Sequence, residues 1–292
     1  MTSTAPPPPG GARYHSWLFA PDATRDGLAA LLTVEREIED SCRPGLEHSV
    51  AHARLDWWQQ EAAQLAAGRP RHPATRALAA ALAASDPPDL APLVETARWQ
   101  HAQLAFGDRD ELRQALQAWG ATVFATACQL GVPDGARTPA TQAALHAFAL
   151  RAGEAVREIE WLSEAMPRAR RGLLSLPLDE LAATGCDHGA LHASPMPGVI
   201  AALLRARLER GATELREAAA SLPAALRASA RVGLLWSATA ATLACDSAAA
   251  LPNQYAASRF APLGATLAAW RAARACLRGQ LPVPLRQRST AA

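Results

Sequence analysis

The sequence predicts an all-α chain. Apolar residues recur at helical spacing in segment after segment, N-capping residues and prolines punctuate those segments, and no strand-like alternation runs beyond a few residues. There is no internal repeat. A chain of 292 residues, half of them apolar, is long enough for one large core.

The elements follow in order. The opening MTSTAPPPPGGARY is proline-rich, lacks a charged region followed by an apolar block, and reads as a disordered lead-in over residues 1–13 rather than a secretory signal. Asp22 after Pro21 suits a helix start, and Leu28, Leu31, Leu32 and Ile38 form its apolar stripe. A helix over residues 47–67 carries His48 and His52 one turn apart. That pair has chelating spacing but no third ligand nearby in sequence, so it reads as an uninvolved surface pair. Trp57 and Trp58 on the same helix read as packing residues.

Pro73 suits a first helical position, and Pro87 and Pro88 break the helix it opens. Further helices follow over about 90–106 and then from Asp108 or Asp110, where Gly120, Ala121, Ala125 and Ala127 would let a neighbour approach closely. Thr138 begins a long helix, and Pro167 predicts its end or bend at Met166. Cys186, Asp187, His188 and His192 fall in a loop whose spacing matches no zinc pattern. Helical stretches at 199–220, 224–251 and 256–278 finish the chain, with Trp236 and Trp270 expected in the core and residues 280–292 as a loose tail.

Composition narrows the function classes. The formal charge of +2 gives no reason to expect nucleic acid as partner, and no apolar run reaches the ~18 residues of a membrane span. Five scattered cysteines without a Cys-x-x-Cys pair suit a reducing cytosol. The chain has no lysine, which excludes lysine Schiff-base chemistry and a P-loop lysine.

The most informative stretch is residues 150–181, LRAGEAVREIEWLSEAMPRARRGLLSLPLDEL. Arg157, Glu160, Glu164 and Arg168 lie at steps of three, four and four and share one side of the helix. A second column, Arg36, Glu39, Asp40 and Arg43, ends the helix that starts near Asp22. Taken alone, such columns are solvated ladders of ion pairs worth little individually.

The stretch resembles the second aspartate-rich segment of the squalene/phytoene synthase family. Gly153, Ala155, Arg171, Gly172, Leu176 and Pro177 match its frame without gaps, but its two aspartates fall on Glu164 and Arg168, its asparagine on Glu160 and its glutamine on Arg157. The first segment is similar in the same way. Pro21, Arg25, Arg36 and the LDWW of 55–58 fit, while the family's three aspartates fall on Glu39, Asp40 and Arg43. Gln114 or a neighbour replaces a tyrosine common in the family.

The resemblance covers about residues 14–279. It implies a single-domain isoprenoid-synthase-like helical bundle around a central cavity. In catalytic relatives, two aspartate motifs hold magnesium, which binds the diphosphate of a prenyl substrate. Magnesium needs several hard oxygen ligands. Here the facing columns carry four positive and four negative side chains, so they neutralise one another without an ion. The expectation is that Arg43 and Arg168, at the last aspartate positions, repel a cation and fork onto the opposite carboxylates.

The pattern also resembles a degenerate branch containing a mitochondrial complex I assembly factor with a squalene/phytoene synthase-like domain. The expected function is therefore a non-catalytic binding or assembly module. It would be cytoplasmic and at most peripheral to a membrane, with a protein partner or an isoprenoid lipid as ligand and no cofactor or metal. The alternative is an active transferase condensing two prenyl diphosphates head-to-head with Mg2+. Under either reading the site residues are Glu39, Asp40, Glu160 and Glu164, with Arg36, Arg157, Arg168 and Arg171 for an anionic ligand.

Overall fold

A computed structural model describes residues 6–9, 11–43, 45–82, 86–103, 105–253 and 261–286. Every regular element among them is helical. The α-helices are α1 (Ala12–Leu18), α2 (Asp22–Asp40), α3 (His48–Ala66), α4 (Pro73–Ala81), α5 (Ala91–Gln103), α6 (Arg109–Trp119), α7 (Ala125–Leu130), α8 (Pro139–Ser163), α9 (Ala165–Arg170), α10 (Leu178–Ala183), α11 (Gly198–Ser221), α12 (Arg231–Ala250) and α13 (Ala261–Leu277). A π-helical turn, Gly120–Phe124, joins α6 to α7. No helix among the described residues is long and apolar enough to cross a membrane.

Helix α8 is the axis of the bundle. Thr138 caps it by accepting from the Thr141 amide, and Pro139 fills the first position, where no amide is needed. Leu145, Phe148, Ala152, Val156, Ile159 and Leu162 are all buried, and α6, α7, α11 and α12 pack around them. Small residues allow that crowding. A Cβ on Gly153 would stand 2.6 Å from the Gly120 Cα, so α8 and the π turn touch backbone to backbone.

Helix α8 ends three residues earlier than its proline suggests, with Glu164 as C-cap. Pro167 has no amide for the Ser163 carbonyl and its ring crowds that carbonyl, so the break falls one turn upstream and the proline sits in the first turn of α9. Helix α9 then closes in a Schellman motif. The Gly172 amide donates to Ala169 O at 2.9 Å and the Leu173 amide to Arg168 O at 2.9 Å, with Gly172 at φ 79°. The glycine of the Arg171-Gly172 pair is there because the turn needs a left-handed residue.

Several expectations about the ends need correction. Helix α1 begins inside the segment read as a disordered lead-in, and Arg13 on it is a site residue. The tail from residue 280 is docked rather than loose as far as it is described. Val283–Leu285 form a 3-10 turn, Leu285 is fully buried, and Pro284 O accepts from Arg216 Nε at 3.3 Å. Trp270 is exposed at the surface, while Trp236 is in the core. Trp57 is exposed as well, and its neighbour Trp58 is buried. Part of the last expected helix, residues 256–260, lies outside the described residues.

Candidate functional site

The C-terminal halves of α2 and α8 face each other, as the two columns require, but only part of each column takes part. Arg157 points from α8 to Glu39 on α2 and binds its carboxylate directly. Its other terminal nitrogen lies 3.3 Å from Glu160 and 3.7 Å from Glu35. Arg13 closes the cluster from α1, with Nη2 2.7 Å from Glu35 Oε1 and 3.0 Å from Glu160 Oε2, and Nε donating to Glu35 Oε2 at 3.2 Å. Two indoles complete the donor set: Trp119 Nε1 donates to Glu35 at 2.6 Å and Trp236 Nε1 to Glu160 at 3.1 Å.

Electrostatics follow from this burial. Desolvation pulls the Arg13 guanidinium down, but Glu160, Glu35 and Glu39 outweigh it and hold the cation above its ordinary range. Burial acts the same way on Arg157, and Glu39 leads the carboxylates that reverse it. Desolvation raises the Glu39 carboxyl, while Arg157 and Arg13 bring it net below the usual carboxylate range. Glu35 is deeper, and burial pushes it up by more than Arg13 and Arg157 pull it down.

Arg168 is held differently. Its Nε donates to Ser175 Oγ at 3.1 Å, Ser175 Oγ donates to Trp161 O at 3.0 Å, and its guanidinium lies 4.6 Å from the Trp161 ring centre. Arg157 sits 5.0 Å from the same ring. Burial and then the Arg157 charge bring the Arg168 cation down to about 10, and no carboxylate among the described residues lies within ion-pair distance of it. Arg13 and Arg157 face three carboxylates, so Arg168 brings the formal charge of the group to zero.

The remaining expected site residues stand apart. Arg36, Asp40, Arg43, Glu164 and Arg171 are exposed, and Arg171 turns its Nε to the Pro167 carbonyl at 3.2 Å. Contrary to expectation, the forked pairing belongs to Arg157 and Arg13, not to Arg43 and Arg168. Sequence spacing missed Arg13, Glu35, Trp119 and Trp236. Glu35 had a signal in its place four residues before Glu39, one helical turn away.

Beneath the ions lies an aromatic floor. Trp119 and Trp236 meet edge to face at 5.6 Å, Phe124 lies 5.6 Å from Trp236, and Phe148 lies 6.1 Å from Phe124. Trp236, Phe124 and Phe148 are almost wholly buried. An apolar chain entering under the ionic cluster between Trp119 and Trp236 would displace rings that already touch. On another face of α8, Glu158, the residue after Arg157, forms a second buried network. It accepts a bidentate pair from Arg109 at 2.9 Å each and Arg207 Nε at 2.8 Å, and Arg207 also reaches Glu180 at 2.6 Å.

A sequence model of squalene/phytoene synthase matches residues 10–273 of the chain. The chain belongs to the squalene/phytoene synthase family. Its fold is similar to that of squalene synthase HpnC from Alicyclobacillus acidocaldarius, with TM-score 0.61 at 17% identity over 82% of this chain and 88% of that one. A dehydrosqualene synthase in complex with ligand gives TM-score 0.64 at 14% identity over 89% and 90% of the two chains. A search of the curated proteins finds no match.

Proposed function

We propose that this family member is a non-catalytic binding or assembly module whose diphosphate site is closed by its own arginines. One observation carries the reading: Arg157 is bonded to both Glu39 and Glu160, the acids at motif positions, while Arg13 covers Glu35 and Glu160. The donor set does not fit a magnesium cluster. An ion would have to expel a buried guanidinium from its carboxylates, and the remaining motif acids, Asp40 and Glu164, are exposed. The aromatic floor supports the same reading, because two prenyl chains need apolar room.

Arg168 favours the second reading, an active transferase condensing two prenyl diphosphates. Its charge lacks a carboxylate within ion-pair distance among the described residues and suits a phosphate oxygen. Incubation of the purified chain with farnesyl or geranylgeranyl diphosphate and Mg2+, followed by lipid extraction, separates the two. No coupled product is expected. Squalene, presqualene diphosphate or phytoene above a no-protein control contradicts the proposal and establishes the transferase.

A further inference from the structure

The pair His48 and His52 gains a third imidazole that sequence proximity does not offer. His101, at the far end of α5, lies against both. His52 Nε2 is 2.9 Å from His48 Nε2, and His101 Nε2 is 3.0 Å from His48 Nδ1. One ligand nitrogen from each of the three fits within a 4.8 Å span. We propose that His48, His52 and His101 form a binding site for a divalent transition-metal ion of the Zn2+ class, joining the start of α3 to the end of α5.

Chemistry selects the ion. Three neutral imidazoles are borderline ligands that suit zinc, copper or nickel and not magnesium. A tetrahedral zinc with metal–nitrogen bonds of ~2.0–2.1 Å needs nitrogens about 3.4 Å apart, and side-chain rotations bring a set of this span to that spacing. Three protein ligands leave the fourth position to water.

The same two helices meet again beside the rings. One turn along each helix, Arg98 of α5 donates to Asp56 of α3 at 3.0 Å, and Arg98 also lies 3.9 Å from Glu95. His52 and His101 are half-buried and His48 is exposed, so the site is open to ions from solvent. It lies outside the Glu39–Arg157 cluster and shares no ligand with it.

The test uses untagged, chelator-stripped full-length protein, because a histidine tag would mimic the result. Zn2+ titration by calorimetry should show one equivalent bound, and Co2+ should give tetrahedral d–d absorption that Zn2+ bleaches. Zn2+ at a hundredfold over its Kd should raise Tm by about 5 °C. His101→Gln and His52→Gln, each checked for native helicity by circular dichroism, should each weaken binding at least tenfold and cut the Tm shift at the same Zn2+ concentration to about half or less. Mg2+ should give no signal at this site. Absence of saturable Zn2+ binding, or equal affinity in both variants, overturns the proposal.

Discussion

Arg157→Met removes the charge at the centre of the cluster while keeping a chain long enough to lie against Trp119 and Trp161. The Arg157 side chain is 8% exposed and serves Glu39, Glu160 and Glu35 together. Removing one partner of a buried ion pair costs about 3–5 kcal/mol. Glu39 is half-exposed, so solvent screens its part, and Arg13 still covers Glu35 and Glu160. The loss should therefore fall near the lower end, about 3 kcal/mol, or about 5 °C in Tm for a domain of this size. Urea unfolding followed by far-UV circular dichroism measures it. The variant should also gain what the wild type does not need, namely stabilisation by millimolar Mg2+, since three acids then face a single guanidinium. A loss below about 1 kcal/mol, or an equal Mg2+ response in the wild type, refutes the reasoning.

Other substitutions address other parts of the account. Trp119→Phe keeps the ring contact and removes the indole donor to Glu35, which should cost about 1.5–3 kcal/mol in urea unfolding. Gly153→Ala forces α8 away from the Gly120 backbone and should cost about 1–3 kcal/mol by the same measurement. Glu39 is a carboxyl whose folded pKa lies below its unfolded one, so its stabilisation is present above the unfolded pKa of about 4.3 and is lost as pH falls through the folded value. The stability difference between wild type and Glu39→Gln, at most about 1 kcal/mol for so exposed a carboxylate, should be flat above about pH 5 and shrink in acid. Glu158, raised by burial, has the opposite sign and cancels in that difference, whereas Glu35, which the Glu39 charge helps to raise, is relieved in the variant and adds its own acid-side contribution. Arg168→Met should leave stability within about 1 kcal/mol of wild type but weaken inorganic diphosphate binding if that cation meets an anion.

The helices were legible because their signals are local. Caps such as Asp108 and Thr138, whose side chains accept amide hydrogen bonds in the structure, and prolines such as Pro73 at first positions stand where the sequence puts them. Half of the candidate site was legible too, since Glu39, Arg157, Glu160 and Arg168 share helical faces that end up opposed. What local spacing cannot show is which long side chain wins a carboxylate across the bundle. Arg43 sits beyond the end of α2 and reaches solvent, whereas Arg13, on a helix hidden in a proline-rich opening, folds back over Glu35. The third histidine was invisible for the same reason: His101 is 53 residues from His48 and meets it only because α3 packs on α5.

Calorimetric titration with Mg2+ of the His52→Gln, His101→Gln double variant, in which the Glu39–Arg157 cluster is untouched, asks whether the built-in guanidiniums leave any room for an ion. A baseline of dilution heats alone is the expected trace. Tight binding of two or three Mg2+ per chain would mean that Glu39 and Glu160 are available to an ion, and that the closed cluster is not the state the protein keeps in solution.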